Sequence, residues 1–378
     1  MTETGATLPL FNAYPGLREA IAWVSIGEWP TPVQHARNFG RRVGLPNIYV
    51  KREDMSHPEC GGNKTRGLEF LLAEAQRRGT RTIVTFSSVG SHHICRTAWH
   101  AARLDIRTVA IVMNQPNAQY VRSHLLWGLR AGARYIPANF ATVLPKGLYE
   151  LLRLRNREGG HMPLLIPPGG TSPMACLGHV NAAFELAQQV RSGQLPEPDF
   201  LYVPLGSLGT AAGLALGCKL AGLRTRVIGV VVSYRWYCTA GRVARLARRT
   251  RDFMWRADHR VPDVQVRASD LSVVSTALGS GYAWFTREAA EWSCIFRDEE
   301  GLCIDGTYGG KALDGALRFI RQLQVSDHVH LFWHTYHPLP YDDCPASLLS
   351  TLDRRLRRYF EDPVQPLDDQ FRERTVPS

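Results

Sequence analysis

Lys64 stands in the stretch Gly61-Gly62-Asn63-Lys64-Thr65-Arg66, in a chain with only five lysines against forty arginines. An amphipathic run, Gly67-Leu68-Glu69-Phe70-Leu71-Leu72-Ala73-Glu74-Ala75, follows at once. A buried amine at a glycine-rich helix start is how a protein presents a Schiff-base lysine to an aldehyde cofactor. Burial and nearby positive potential lower the ammonium pKa, and the free amine is the nucleophile. The plainer alternative is a solvated first-turn lysine, and the segment taken alone leaves both open.

Four further loops could serve such chemistry. Val203-Pro204-Leu205-Gly206-Ser207-Leu208-Gly209-Thr210-Ala211-Ala212-Gly213 follows a strand-like run and opens a helix-like one. Glycines let the backbone approach a phosphate, and a helix N-terminus supplies free N–H donors and positive potential. Ser207 and Thr210 can add hydroxyls. The spacing is neither the Walker pattern nor the dinucleotide fingerprint, and a plain tight turn is the alternative. Ser87-Ser88-Val89-Gly90-Ser91-His92-His93 is a second strand-to-helix turn, suited to a substrate carboxylate or a developing negative charge. Adjacent helical residues diverge by about 100°, so His92 and His93 do not share a metal ion. No metal is expected, and the alternative for His93 is a hydrogen-bonded core histidine. Asp305-Gly306-Thr307-Tyr308-Gly309-Gly310-Lys311-Ala312 leads into another helix, and Leu331-Phe332-Trp333-His334-Thr335-Tyr336 ends the last strand. In open α/β sheets, ligands sit at the carboxyl ends of strands, so these loops can converge on one crevice.

The elements that must position them alternate. Strand-like runs appear at 47–51, 82–86, 108–112, 164–166, 201–203, 227–232 and 328–333, with helix-period stretches near 66–77, 92–103, 120–131, 144–157, 174–191, 210–220 and 311–323. Alternation of this kind predicts parallel sheets covered by helices on both faces, and more strands occur than one modest sheet needs. The segment 250–285 reads as irregular, and the polar tail after Tyr341 holds one Arg-rich helix near 346–360. The chain has 378 residues, 44% hydrophobic and 21% charged, which suits about two domains. No run of roughly 18 apolar residues suggests a membrane span, and the N-terminus lacks a secretory pattern. Eight scattered cysteines without a Cys-x-x-Cys pair read as reduced thiols of a cytoplasmic protein. The net charge of +11 comes from widely spread arginines, with clusters only at Arg242-Arg245-Arg248-Arg249 and Arg354-Arg355-Arg357-Arg358; no nucleic-acid-binding motif accompanies them.

Taken as an ordered set, Pro30-Thr31-Pro32-Val33, Val50-Lys51-Arg52-Glu53-Asp54, Gly61 to Arg66, Pro168-Gly169-Gly170-Thr171, Gly206 to Thr210, Gly279-Ser280-Gly281-Tyr282, Tyr308 to Ala312 and His334-Thr335 resemble the 1-aminocyclopropane-1-carboxylate deaminase and D-cysteine desulfhydrase family. These are pyridoxal-phosphate enzymes of the tryptophan-synthase β type, with two α/β domains of parallel twisted sheets flanked by helices. The resemblance covers roughly residues 29 to 335. It implies a small domain over 60–180, a large cofactor-binding domain from 1–59 and 181–345, an Arg-rich tail over 346–378, and a homodimer. It implies that Lys64 holds pyridoxal 5'-phosphate, with the phosphate cradled by Gly206, Ser207, Leu208, Gly209 and Thr210. Asn63 would lie beside the cofactor, Ser91 would face the substrate, and Tyr282 and Tyr308 would match two active-site tyrosines.

The chain departs from that family pattern at telling places. His92 stands where an asparagine would contact the cofactor's phenolic oxygen. Gly309 stands where the deaminases carry glutamate and the desulfhydrases threonine, so no carboxylate there keeps the pyridine nitrogen protonated; Thr335 can offer a neutral hydroxyl instead. His334-Thr335-Tyr336-His337 replaces a glycine-rich His-Thr-Gly-Gly. These changes argue against cyclopropane ring opening. The expected activity is that of a lyase or deaminase on a small amino acid. Lys64 removes the α-proton, a β-substituent leaves, and a keto acid and ammonia result. β-Replacement by the same machinery, or a silent binder on the same fold, are the alternatives.

Overall fold

The computed structural model describes residues 7–341 and 344–371. Its ten strands form two sheets. β1 (Val33–His35), β2 (Ile48–Arg52), β7 (Phe200–Leu205), β8 (Arg226–Val231), β9 (Leu271–Val274) and β10 (His330–His334) make a six-stranded sheet in the order β1-β2-β10-β7-β8-β9. β3 (Thr82–Ser88), β4 (Arg107–Met113), β5 (Arg134–Ala138) and β6 (Leu164–Ile166) make a four-stranded sheet in the order β5-β4-β3-β6. Every pairing is parallel except β1 with β2, which gives the larger sheet one antiparallel edge.

Helices cover both faces, as a parallel sheet requires. On the six-stranded sheet, Leu313, Ala316, Leu317 and Ile320 of helix Gly309–Leu323 pack on Ile228, Val230 and Phe332. On its other face, Leu177 and Val180 of helix Pro173–Arg191 and Ala211 and Leu214 of helix Gly209–Leu220 pack on Val203, Leu331 and Trp333. In the four-stranded sheet, Leu68, Leu71 and Leu72 of helix Lys64–Arg77 meet Ile83 and Ile166. Ile94 and Ala98 of helix His92–Ala102 meet Ala110 and Val112.

One buried ionic cluster pins the start of helix Lys64–Arg77 in place. Arg66 reaches Glu53 at 2.6 Å and Glu185 at 3.0 Å, and Lys51 reaches Glu185 at 2.5 Å, all four nearly inaccessible to solvent. Burial pushes the Glu185 carboxyl up, but Arg66 and Lys51 overcome that and hold it at about 2. Two cations against two anions leave the cluster neutral, the condition under which buried charge is tolerable. Lys51, Arg66 and Glu53, read in the sequence as parts of family motifs, thus serve to fasten β2 and helix Pro173–Arg191 to the residues beside Lys64.

Two sequence readings are corrected here. The segment 250–285 is not wholly irregular: it begins in helix Ala240–Ala257 and contains β9. The Arg-rich helix of the tail is two helices, Ala346–Thr351 and Arg354–Glu361, broken where Asp353 caps the second by accepting from the Arg355 N–H. The described tail docks firmly, since Leu352, Leu356 and Tyr359 are buried against Val89, Ile94 and Val121. The final stretch of the 346–378 segment lies outside the described residues.

Candidate active site

Lys64 is the first residue of its helix. The approach is tight. A Cβ on Gly62 would lie 3.0 Å from the Thr335 carbonyl oxygen, and its φ of 108° belongs to glycine. The Gly62 N–H donates to the Glu53 carbonyl at 3.0 Å, and Arg96 donates from Nε to the Gly61 carbonyl at 3.0 Å. The loop therefore has one shape, and it sends the Lys64 side chain inward. Nζ lies 3.4 Å from Ser207 Oγ, 143 residues away in sequence. Burial lowers the Lys64 pKa to about 8, as expected for an amine held near neutrality for chemistry. The solvated first-turn alternative does not hold.

Ser207 sits in the turn between β7 and helix Gly209–Leu220. Leu208 adopts left-handed backbone (φ 73°, ψ −27°), and no side chain caps the helix. The first-turn N–H groups thus form a buried cradle open to an anion. Neighbouring side chains fix its wall. Asn63 Nδ2 donates to Thr210 Oγ1 at 2.9 Å, and Thr171 Oγ1 donates to the Ser207 carbonyl at 2.7 Å. Gly169 must be glycine, because its φ is 66° and a Cβ would sit 2.4 Å from Ser207 Oγ. Lys64, His93, Gly170, Thr171, Cys176 and Thr210 line one small cavity here.

The crevice's other side is made by hydroxyls and imidazoles. Ser88 Oγ, Tyr282 OH and Tyr308 OH form a chain, with steps of 2.7 and 2.6 Å. Burial first, and then each other's proximity, raise the Tyr308 hydroxyl well above its ordinary value; Tyr282 is raised likewise by burial. Both are neutral donors at physiological pH. The Asp305 carboxylate accepts the N–H groups of Thr307, Tyr308 and Gly309 at 3.0, 2.8 and 3.0 Å, orienting Tyr308 at the start of its helix. Lys311, fully buried, donates to the Leu278 and Gly281 carbonyls at 2.8 Å each and so holds the loop that carries Tyr282.

His92 occupies the middle. Its ring lies 4.7 Å from that of Tyr308 and 5.2 Å from that of Tyr336. Its Nε2 is buried with no hydrogen-bond partner. Burial, with help from His124, Arg96 and Lys64, pushes its pKa well down, so it is neutral. An orphaned imidazole nitrogen is costly unless a ligand satisfies it. Ser91 stands at the N-cap of helix His92–Ala102, buried, with its side chain not used for capping. Thr335 lies at the end of β10, its carbonyl accepting the Asn63 N–H at 3.4 Å. His93, by contrast, is held between Thr85 and Thr97 hydroxyls at 3.2 Å each, the core histidine of the plainer alternative.

A family model described as pyridoxal-phosphate dependent enzyme matches residues 24–335. The chain belongs to this family. Among curated relatives of the enzyme is a D-cysteine desulfhydrase from Klebsiella pneumoniae, 30% identical, covering 82% of this chain and 94% of the relative. Another is a nocardicin C-9' epimerase from Nocardia uniformis, 33% identical, covering 76% and 85%. A crystal structure of an ACC deaminase homologue superposes with a TM-score of 0.74 at 26% identity, covering 92% of this chain and all of that one. A threonine deaminase from Solanum lycopersicum shares the fold (TM-score 0.57, 16% identity). The enzyme is accordingly one of the two-domain pyridoxal-phosphate enzymes with parallel sheets flanked by helices.

The residues present fit that cofactor. A half-buried amine of depressed pKa faces an uncapped, glycine-lined helix N-terminus, and an unpartnered imidazole and a neutral hydroxyl pair lie across the crevice. The departure at Gly309 has a steric reason: a Cβ there would lie 2.9 Å from Ile304 Cβ. Ser88, Asp305, Lys311 and Gly169 were not picked out from the sequence as site residues. Asp305 opens the Asp-Gly turn ahead of helix Gly309–Leu323, and an aspartate there accepts the N–H groups that follow it, a signal that could have found it. Ser88 and Lys311 are defined only by tertiary contact.

Proposed function

We propose that the enzyme is an amino-acid lyase or deaminase, removing the α-proton and a β-substituent of its substrate to leave a keto acid and ammonia. The observation that carries this reading is the Lys64 amine, with its pKa near 8, set 3.4 Å from Ser207 in the anion cradle. Bound pyridoxal 5'-phosphate supplies an electron sink for the α-carbon. Gly206, Ser207, Leu208, Gly209 and Thr210 hold its phosphate, while Asn63, His92 and Thr335 surround its ring. The Lys64 amine, once free, takes the α-proton as general base. Ser91 and the first turn of helix His92–Ala102 hold the substrate carboxylate. The Tyr308 hydroxyl, backed by Tyr282 and Ser88, delivers a proton to the departing group. Thr335 cannot protonate a ring nitrogen as a carboxylic acid would, so the sink is tuned weaker than in a carboxylate-bearing site.

The test is product analysis. D-cysteine, L-cysteine and β-chloroalanine are incubated with the holoenzyme, and keto acid and ammonia are assayed together. Release of both in equal amounts is expected from at least one substrate. An epimerase reading is the second one, favoured by the Nocardia uniformis relative and by the neutral, protonated hydroxyls of Tyr308 and Tyr282 in the same crevice as the base. It calls for inversion at Cα with no keto acid.

We also propose that the enzyme works as a homodimer in the cytoplasm. Phe140, Leu144, Leu148 and Leu152 form an exposed apolar stripe on and beside helix Val143–Arg157, of the kind a second copy covers. No disulfide joins any of the cysteines among the described residues, which fits a reducing compartment. Among the described residues, no helix is long and apolar enough to cross a membrane.

A further inference from the structure

A second, larger cavity of about 470 Å³ lies against the active site. Pockets of roughly 300–1,000 Å³ hold small ligands. Its walls share residues with the machinery already described. Asp305 lines it, and the same carboxylate orients Tyr308. Tyr336 lines it and packs on His92. Tyr120 lines it and hydrogen-bonds the Thr307 hydroxyl at 2.8 Å.

Half of the cavity is built by residues beyond the family match, which ends at 335. Tyr336, Pro338, Pro340, Tyr341, Asp368 and Phe371 all contribute. The tail is tied down where it does so. Gln365 accepts the Phe285 N–H at 2.8 Å and donates to the Ala283 carbonyl at 3.0 Å, next to Tyr282; the Asp368 carboxylate accepts the Gln119 N–H at 2.9 Å. Phe371 packs on Phe285 with ring centroids 4.6 Å apart. Rings of Tyr120, Phe285, Tyr336 and Phe371 thus surround a space large enough for another ring, at which aromatic groups pack favourably.

Resting on the lyase reading above, we propose that this cavity receives an aromatic leaving group carried on the substrate's β-carbon, so that the substrate class is the aryl thioethers of cysteine. A lyase breaks a bond at Cβ, and the group in the cavity must be joined through an atom that accepts the electron pair. Sulfur does so. The α-proton passes to Lys64, the Cβ–S bond breaks with its electron pair on sulfur, and the aryl thiolate takes up a proton. One water hydrolyses the released aminoacrylate to pyruvate and ammonia. Nothing is oxidised or reduced. Tyr336, in place of glycine, supplies an aromatic wall of the cavity where it packs on His92.

The test compares S-phenylcysteine with S-methylcysteine, in both enantiomers, on the holoenzyme and on Phe371→Ala. The expected result is a kcat/KM for the phenyl thioether about tenfold above that for the methyl one, collapsing toward equality in the variant. Should Phe371→Ala not fold, Phe285→Leu reads the same ratio. Calorimetry with the Lys64→Ala protein, which cannot complete the reaction, adds a binding readout: tighter binding of the phenyl thioether is expected. Equal or weaker binding and turnover of the phenyl compound overturns the proposal. A binding preference for phenyl, with no keto acid from any thioether or from cysteine, keeps the cavity assignment and overturns the lyase reading.

Discussion

Lys64 Nζ and Ser207 Oγ meet at 3.4 Å across the two halves of the crevice. The pair joins the first residue of one helix to the turn before another, and Gly169 gives Ser207 its room. Replacing Ser207 with alanine removes one hydroxyl from the cradle while leaving the backbone donors. A lost hydrogen bond of this type is worth about 1 kcal/mol, so the cofactor dissociation constant is expected to rise about fivefold, read by titrating the apoenzyme with pyridoxal phosphate. Gly169→Ala, which forces Ser207 aside, is expected to weaken binding further.

Tyr282 and Tyr308 share a 2.6 Å hydrogen bond and act as one unit. Removing a positioned proton donor lowers kcat by about 10²–10⁴-fold. Tyr308→Phe is expected to show that loss, Tyr282→Phe a smaller one, and the double variant no more than Tyr308→Phe alone. Steady-state kinetics checks this, and multiplicative losses would separate the two residues.

Stability of the apoenzyme depends on pH through its buried amines. Burial lowers Lys64 and Lys311 to about 8 each, from 10.5 when exposed. Between these values the unfolded chain binds more protons than the native one, so native stability rises with pH there. Below pH 8 both states are protonated and the gain is absent. Thermal melting of the apoenzyme is expected to move upward between pH 8 and 9, below the range where the buried thiols of Cys176, Cys218 and Cys238, pushed up to about 12, oppose the trend, and less steeply in Lys64→Met.

The exposed stripe of Leu144, Leu148 and Leu152 gives the dimer a test. Leu148→Glu is expected to convert a dimer to a monomer at micromolar concentration in sedimentation, with melting of the monomer little changed. A wild-type monomer would remove the stripe from consideration as the interface between copies.

Much of this architecture was legible in the residues. Buried parallel strands are continuous apolar runs, so β3, β4, β7 and β8 stood out. β5 did not, because Pro137 interrupts Arg134–Ala138, and β1 has only three residues. Helix Ala240–Ala257 was hidden by its arginines: Val243, Leu246, Ala247 and Met254 face the core while Arg245, Arg248 and Arg249 face out. Lys64, Ser207 and Tyr308 lay in recognisable order, and the structure brings Lys64 to Ser207 and Tyr308 to Tyr282. Ser88 reached the site by a contact 194 residues long in sequence, which no local pattern encodes. The tail read as polar because its anchors, Leu352, Leu356 and Tyr359, are separated by charged residues.

The absorption spectrum of the purified protein, compared with that of Lys64→Ala, tests the central claim most directly. A visible-edge band from cofactor joined to the Lys64 amine is expected in the wild type, shifting when a substrate amino acid is added. The variant is expected to lose that band and to turn over no amino acid. A variant that keeps both the band and the activity would contradict the assignment of Lys64 and, with it, the chemistry built around its amine.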